Sequence, residues 1–346
     1  MSSQPECFSQ TTCKPSNRLL TIRILYKNRS AAVVKGTFNL RGKPISIYIQ
    51  IPDTIIIVFY YTIFLERNYN MIFTSNTMNL NIKDALAYLS FKALDSLPYI
   101  KHAFSTRLGG VSRGEFNSMN MSFNRGDDAE NVTENYKRLC AAVGIEFESL
   151  VASAQDHHTF VRRVTSSEKG IGIYKPRDLE SVDALITNEK GVTLVTYFAD
   201  CTPILLVDTK KLAVGAAHAG WRGTVGRIGE KTVERMTEEF GSNPNDIVAA
   251  IGPTINKCCY EVDEPVALKF KELEGLDTEK FVTPKEGGKY MIDLAETNRQ
   301  ILMSAGVPDK NITLSDVCTR CNSDLVWSHR ATGGKRGGMC ALIEIV

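Results

Sequence analysis

Histidine is scarce in this chain. Only five occur among 346 residues (His102, His157, His158, His218 and His329), and no two of them form an H-x-H pair. A trinuclear copper cluster draws its ligands from repeated H-x-H pairs, so the sequence cannot build one, and a blue-copper site would need His₂Cys with an axial ligand. Phosphate-cradling loops of the P-loop type and G-x-G-x-x-G fingerprints are also missing, so neither ATP nor NAD is indicated. The first twenty residues are polar and lack the apolar core of a secretory signal. Long apolar runs are rare as well. The nearest is Ile45–Phe64, which Pro52-Asp53 interrupts, leaving a clean run of twelve residues, Thr54–Leu65. A spanning helix wants about 20 apolar residues. Ile45, Ile47, Ile49 and Ile51 alternate instead, which predicts a strand.

What is present is ordinary globular usage: 43% hydrophobic, 23% charged, 25 Gly and 12 Pro. That composition excludes collagen-like, low-complexity and wholly disordered chains. The net charge of +2 hides an asymmetry. Residues 1–70 carry nine Lys/Arg against three acids, a net +6, while the remainder carries 32 against 36, a net −4. A basic arm on an acidic body could touch nucleic acid or a membrane, but the body offers no basic stripe to support either partner. Met71 and Met78 lie just before the texture becomes regular, so residues 1–80 read as an unmatched extension, poorly ordered or preceding the true start.

Nine cysteines, an odd count without a secretory signal, read as reduced cytoplasmic thiols rather than a disulfide framework. Cys318-Thr-Arg-Cys321 has the spacing of half a zinc ribbon or of a redox motif. The adjacent Cys258-Cys259 cannot easily turn both thiols to one metal, so the C-x-x-C pair reads as two buried apolar cysteines.

From residue 81 the chain alternates element types. Asn131–Gly144 predicts a helix closed by glycine, and Thr224–Phe240 and Leu294–Ala305 predict two more. Strands are expected at Ala184–Ile186, Thr193–Tyr197, Ile204–Val207, Leu212–Ala217, Ile247–Ile251 and Ala341–Val346, with a hairpin turn at 208–211. The expected fold is a single compact α/β domain with a mixed sheet, residues 81–346, behind the N-terminal extension.

Three segments gather chemistry: Gln155-Asp-His157-His158, Ala199-Asp200-Cys201-Thr-Pro203 and His218-Ala-Gly-Trp221-Arg222-Gly223. The last two fall at strand ends, where α/β proteins commonly place ligands. One Cys and two His make three protein ligands with a fourth position open, the pattern of catalytic zinc. Thiolate and imidazole favour Zn²⁺ over Mg²⁺ or Ca²⁺. Each residue also has a plainer reading: Cys201 as a small buried apolar side chain, the histidines as hydrogen-bonded strand-end residues, Trp221 as a core anchor. A metal-free hydrolase or deamidase, with Cys201 as nucleophile and His218 as base, uses the same residues.

The segments at 102–139, QDHHTFV (155–161), DALIT (183–187), ADCTPILLVD (199–208), AAHAGWRGT (216–224), IGPTINKCCYEVDEPV (251–266) and CTRCNSDLVWSHR (318–330) resemble the laccase-domain, or polyphenol oxidase-like, family. Its bacterial members are regarded as zinc-dependent purine nucleoside phosphorylases. The resemblance spans about 88–346. It implies a metal held by His157, Cys201 and His218, with zinc expected and copper the alternative of an older polyphenol oxidase assignment. It also implies phosphorolysis of adenosine, inosine and S-methyl-5'-thioadenosine, together with adenosine deamination. Purine nucleosides and phosphate are then the expected partners, with no nucleic acid and no membrane for the catalytic domain. Arg107 and Arg222 are the phosphate candidates, and Asp200 is a candidate ligand-orienting group or general base, or a turn carboxylate. The chain departs from the family's T-G-R pattern at Gly334-Lys-Arg336-Gly-Gly.

Overall fold

The computed structural model describes residues 22–28, 31–40, 43–51, 73–178 and 181–346, and divides into two units, 1–72 and 73–346. In the first unit three strands, β1 (Ile22–Asn28), β2 (Ala31–Leu40) and β3 (Lys43–Ile51), form an antiparallel sheet in that order. The alternating isoleucines at 45–51 therefore sit on a strand. The apolar run Thr54–Leu65 and Met71 lie outside the described residues. Among the described residues no helix is long and apolar enough to cross a membrane.

The second unit begins at Phe73, a few residues before the boundary expected from texture. Its first sheet runs β4 (Met78–Lys83), β5 (Leu86–Phe91), β6 (Ile100–Ser105), β18 (Met339–Ile345), β10 (Thr193–Phe198), β7 (Leu150–Ala152). The second runs β17 (Ile312–Leu314), β13 (Ile247–Ile251), β11 (Thr202–Asp208), β12 (Ala213–Ala219), β9 (Ala184–Thr187), β8 (Val161–Arg163). Both sheets are mixed: β10–β7, β13–β17 and β8–β9 pair in parallel, while the other neighbours are antiparallel.

Side-chain alternation explains the layering. Leu205 and Val207 of β11 join Leu194 and Phe198 of β10 and Ala341 and Ile343 of β18 in one core between the sheets. Ile204 and Leu206 point the other way, onto Ile228, Val233 and Met236 of the helix Ile228–Phe240 and Leu302 of Leu294–Ser304. On the outer face of the first sheet, Ala103, Val195 and Leu342 meet Tyr136 and Leu139 of the helix Ala129–Val143. Sequence alone predicts the central strands as continuous apolar runs because both of their faces are covered. A small third sheet, β14 (Glu261–Asp263), β16 (Lys289–Ile292), β15 (Val282–Lys285), packs with the helix Glu264–Lys271 around Phe270 and Phe281.

Two expectations change. The helix expected over Thr224–Phe240 is broken into Trp221–Val225 and Ile228–Phe240. At the break Arg227 takes φ 61° and donates to Ser304 Oγ at 2.6 Å. Gly226 passes Thr159 so closely that an added Cβ would lie 2.6 Å from Thr159 Cγ2, so the chain bends here instead of continuing. The cysteines also differ from expectation. Cys318 and Cys321 are not two buried apolar residues: Cys321 is exposed, and both stand with Cys258 and Cys259 in one cluster.

Candidate functional site

The antiparallel register of β11 and β12 pairs Thr202 with Ala219 and Pro203 with His218. Cys201, one residue before β11, is thereby held beside the strand end that carries His218. The third contributor is the loop between β7 and β8. Gln155 anchors that loop to β10: its amide donates to the Tyr197 carbonyl at 2.7 Å and its Oε1 accepts from the Tyr197 N–H. His157, at φ 72°, then turns back over the strand ends. The Cys201 Sγ and a ring nitrogen from each of His157 and His218 all lie within 4.8 Å of one another. The two imidazoles meet edge to face at 4.9 Å between centroids, and Cys201 Sγ is 4.0 Å from His157 Nε2.

Asp183 organises this trio, and the sequence reading gave it no role. It is fully buried immediately before β9, whose pairing with β12 sets it opposite His218. One carboxylate oxygen lies 2.8 Å from His218 Nδ1 and accepts from the His157 N–H at 3.1 Å. The other accepts from the His158 and Asp156 N–H groups at 2.9 and 3.2 Å. Fixing Nδ1 leaves Nε2 of His218 for the metal side, the usual carboxylate–histidine arrangement behind a metal ligand. The available signal was a lone acid opening an otherwise apolar strand.

Burial alone would push the Cys201 thiol up, but the His218 charge and hydrogen bonds from His157 and His218 outweigh it and hold the thiol at about 6. Burial alone would pull His218 down, but Cys201 and Asp183 raise it to about 9. The metal-free pair is thus thiolate and imidazolium near neutral pH. Gly220 leaves the room this needs, since a Cβ there would lie 2.9 Å from His157 Cδ2 and 3.1 Å from Cys201 Sγ.

A cavity of about 210 Å³ opens over the trio, lined also by Gln155, Tyr197 and Asn124. Its cations are Arg125, Arg177 and Arg336, not the arginines expected from sequence. Arg336 is only 7% exposed, its Nε has no partner, and one of its terminal nitrogens donates to the Gly337 carbonyl at 2.8 Å. Burial, then the charge of Arg125, pulls its pKa down to about 10. A buried guanidinium with an unsatisfied donor, beside the like charge of Arg125, has the chemistry to take an anion.

The structure places the other candidates differently. Arg107 donates to the Ser323 and Asn117 carbonyls at 2.8 and 3.2 Å and lies 4.0 Å from the centroid of the Trp327 ring, so its fork is already occupied away from the cavity. Arg222 is exposed and stacks on half-buried Trp221 at 4.3 Å; the fully buried tryptophan is Trp327. The Asp200 carboxylate accepts from Thr319 Oγ1 at 2.5 Å and from the Arg330 N–H at 2.7 Å, the geometry of a turn carboxylate. His158 is exposed and bound to Asp156 and Ser181. His102 is buried and accepts from the Phe91 N–H at 2.8 Å.

The chain is 38% identical over 241 residues to the purine nucleoside phosphorylase YlmD of Bacillus subtilis (strain 168), covering 69% of this chain and 86% of that one. It is 37% identical over 237 residues to adenosine deaminase RL5 from an unknown prokaryotic organism, covering 68% and 90%. The crystal structure of YlmD from Geobacillus stearothermophilus superposes with a TM-score of 0.71 at 35% identity, covering 77% of this chain and 98% of that one. The model for the multi-copper polyphenol oxidoreductase laccase family matches residues 101–346, so the chain belongs to that family.

Proposed function

We propose that this protein is a zinc-dependent purine nucleoside phosphorylase that takes adenosine, inosine and S-methyl-5'-thioadenosine, and that it also deaminates adenosine. The observation that carries the reading is the pairing of a His₂Cys trio with three arginines around one cavity, one of them buried with a free donor. The relatives' names, one phosphorylase and one deaminase, support the two activities.

The residues fit a metal. Two imidazoles and a thiol held at about 6 form a donor set that suits Zn²⁺. His157, Cys201 and His218 would hold it, and it would supply a divalent Lewis-acid charge at the cavity floor. The remaining work falls to the chain. Arg336, with Arg125 and Arg177, would hold phosphate in a fork that matches its oxygens and would offset its charge as it approaches the sugar. A phosphate oxygen bonds to C1′ as the bond from C1′ to the purine nitrogen breaks. The hydrogen of HPO₄²⁻ accounts for the one the purine acquires, so the step balances without a further acid. In deamination, water replaces the C6 amino group and ammonia leaves. Asp183 keeps His218 in one tautomer through either reaction.

The test is purified protein with each nucleoside, with and without phosphate, followed by separation of bases and nucleosides. Phosphate-dependent release of adenine or hypoxanthine supports the reading, and release that ignores phosphate overturns it. One observation favours a second reading: the thiolate–imidazolium pair is also that of a cysteine hydrolase. Activity that survives a chelator but not thiol alkylation would select it. A phenol oxidase reading, with copper as the metal, requires oxygen consumption with phenols and has no H-x-H pair to support it.

A further inference from the structure

Four of the cysteines that this site leaves unused converge from two distant segments. Cys258 and Cys259 stand in the turn between β13 and β14, where the Cys259 and Tyr260 N–H groups both reach back to the Asn256 carbonyl. That tight turn removes the objection to adjacent thiols, because it brings the two Sγ atoms to 3.7 Å. Cys318 and Cys321 follow β17 and share one helical turn, closed by Asn322 N–H to the Cys318 carbonyl at 3.0 Å. A parallel bridge between Thr254 and Cys318 joins the two segments. Cys321 Sγ then lies 3.4 Å from Cys259 Sγ and 3.7 Å from Cys258 Sγ, and all four sulfurs are within 4.8 Å of one another.

A zinc–sulfur bond of about 2.3 Å in a tetrahedron places its sulfurs about 3.8 Å apart, close to the 3.4–3.7 Å among Cys258, Cys259 and Cys321, with Cys318 Sγ inside 4.8 Å of each. The Asn256 N–H donates to Cys318 Sγ at 3.5 Å. We propose that Cys258, Cys259, Cys318 and Cys321 form a second, structural metal site that takes a soft divalent cation, Zn²⁺, on four thiolates. Four protein ligands leave no position open, so the ion ties chain segments together and takes no part in chemistry.

The tie has a definite address. Thr319, inside the C-x-x-C, donates from its backbone to the Thr254 carbonyl and from its hydroxyl to Asp200. The Asp200 carbonyl accepts from Ile255 N–H and Thr254 Oγ1. Both cysteine segments therefore buttress Asp200, the residue before Cys201, and the structural ion braces the turn that presents the Cys201 thiol.

The experiment is metal content of the full chain purified without added reductant, beside intact mass under denaturing conditions. Cys201→Ala removes a ligand of the cavity site and leaves the four thiols alone. It is expected to retain about one zinc per chain, where the unaltered protein holds about two. Cys321→Ser is expected to lose the ion that Cys201→Ala keeps and to melt at a lower temperature. Cobalt loaded into Cys201→Ala should show the strong sulfur-to-metal charge-transfer absorption of four thiolates. Folded Cys201→Ala holding no metal overturns the proposal, as does a mass lowered by the hydrogens lost to a disulfide among these four. If Cys321→Ser does not fold, the count and cobalt spectrum of Cys201→Ala still decide. These readouts do not depend on nucleoside turnover, so the phosphorylase reading can fail while this site stands.

Discussion

His157, Cys201 and His218 offer three donors at the floor of an open cavity walled by arginines, whereas Cys258, Cys259, Cys318 and Cys321 offer four donors that close on themselves. Three protein ligands leave a position for substrate; four do not. The surroundings differ in the same sense. The trio is backed by a fully buried carboxylate, Asp183, that orients an imidazole, and faces a guanidinium with a free donor. The cysteine cluster is backed by backbone turns and faces the scaffold that carries Cys201. Ligand number together with what stands behind and in front of the ligands separates a reactive site from a brace.

The contrast breaks most sharply on Cys201→Ala. Loss of its thiol should abolish phosphorolysis while the protein stays folded, which circular dichroism and a nucleoside assay check together. Equal loss of fold would make the trio a brace as well. Next in size is Arg336→Met, which removes the buried anion receptor but leaves the trio intact. It should lower kcat/KM for phosphate by about 10²–10³-fold, with metal content unchanged. A variant with normal phosphate kinetics would leave the arginine wall without a role. Arg107→Met, by contrast, should cost stability rather than phosphate affinity, because that guanidinium holds the Ser323 and Asn117 carbonyls. Asp183→Asn comes third. With the His218 tautomer no longer enforced, metal affinity at the trio should weaken about 10–100-fold, measured by competition with a chromogenic chelator. The same substitution should leave the cysteine cluster's metal in place.

Much of this was legible in sequence, for local reasons. The central strands read as apolar runs because each is buried on both faces, and Gly144 marks its helix end by adopting the left-handed conformation. Cys201 and His218 stand at strand ends, where a change of texture exposes them, and His157 stands in the polar loop between β7 and β8. What was not legible depends on contacts far apart in the chain. Arg107 looked free because its carbonyl partner at Ser323 is 216 residues away. Arg125 and Arg177 gave no signal because neither stands in a segment that carries one of the trio's ligands. Asp183 stood out only as a lone acid before an apolar strand and within a family motif, and its role rests on the β9–β12 register. The cysteine pairs meet through a bridge between segments more than 60 residues apart, and only the turn at Asn256–Tyr260 turns both adjacent thiols the same way.

The smallest effect, per unit of pH, is also the most direct reading of the trio's charge state. Without metal, His218 carries a proton up to about pH 9, held by Cys201 and Asp183, and Cys201 is a thiolate down to about pH 6. A metal needs His218 unprotonated, so binding between pH 6 and 9 must release that proton. Apparent affinity should therefore rise about tenfold per pH unit across this window and level off above it. Below about pH 6 Cys201 also takes up a proton, so the slope should steepen as pH falls. Titration calorimetry of Cys321→Ser, in buffers of different ionisation enthalpy, would count the protons at this site alone. A flat profile from pH 6 to 9 would mean that the His218 proton is not where Asp183 and Cys201 hold it, and the electrostatic contrast between the two clusters would go with it.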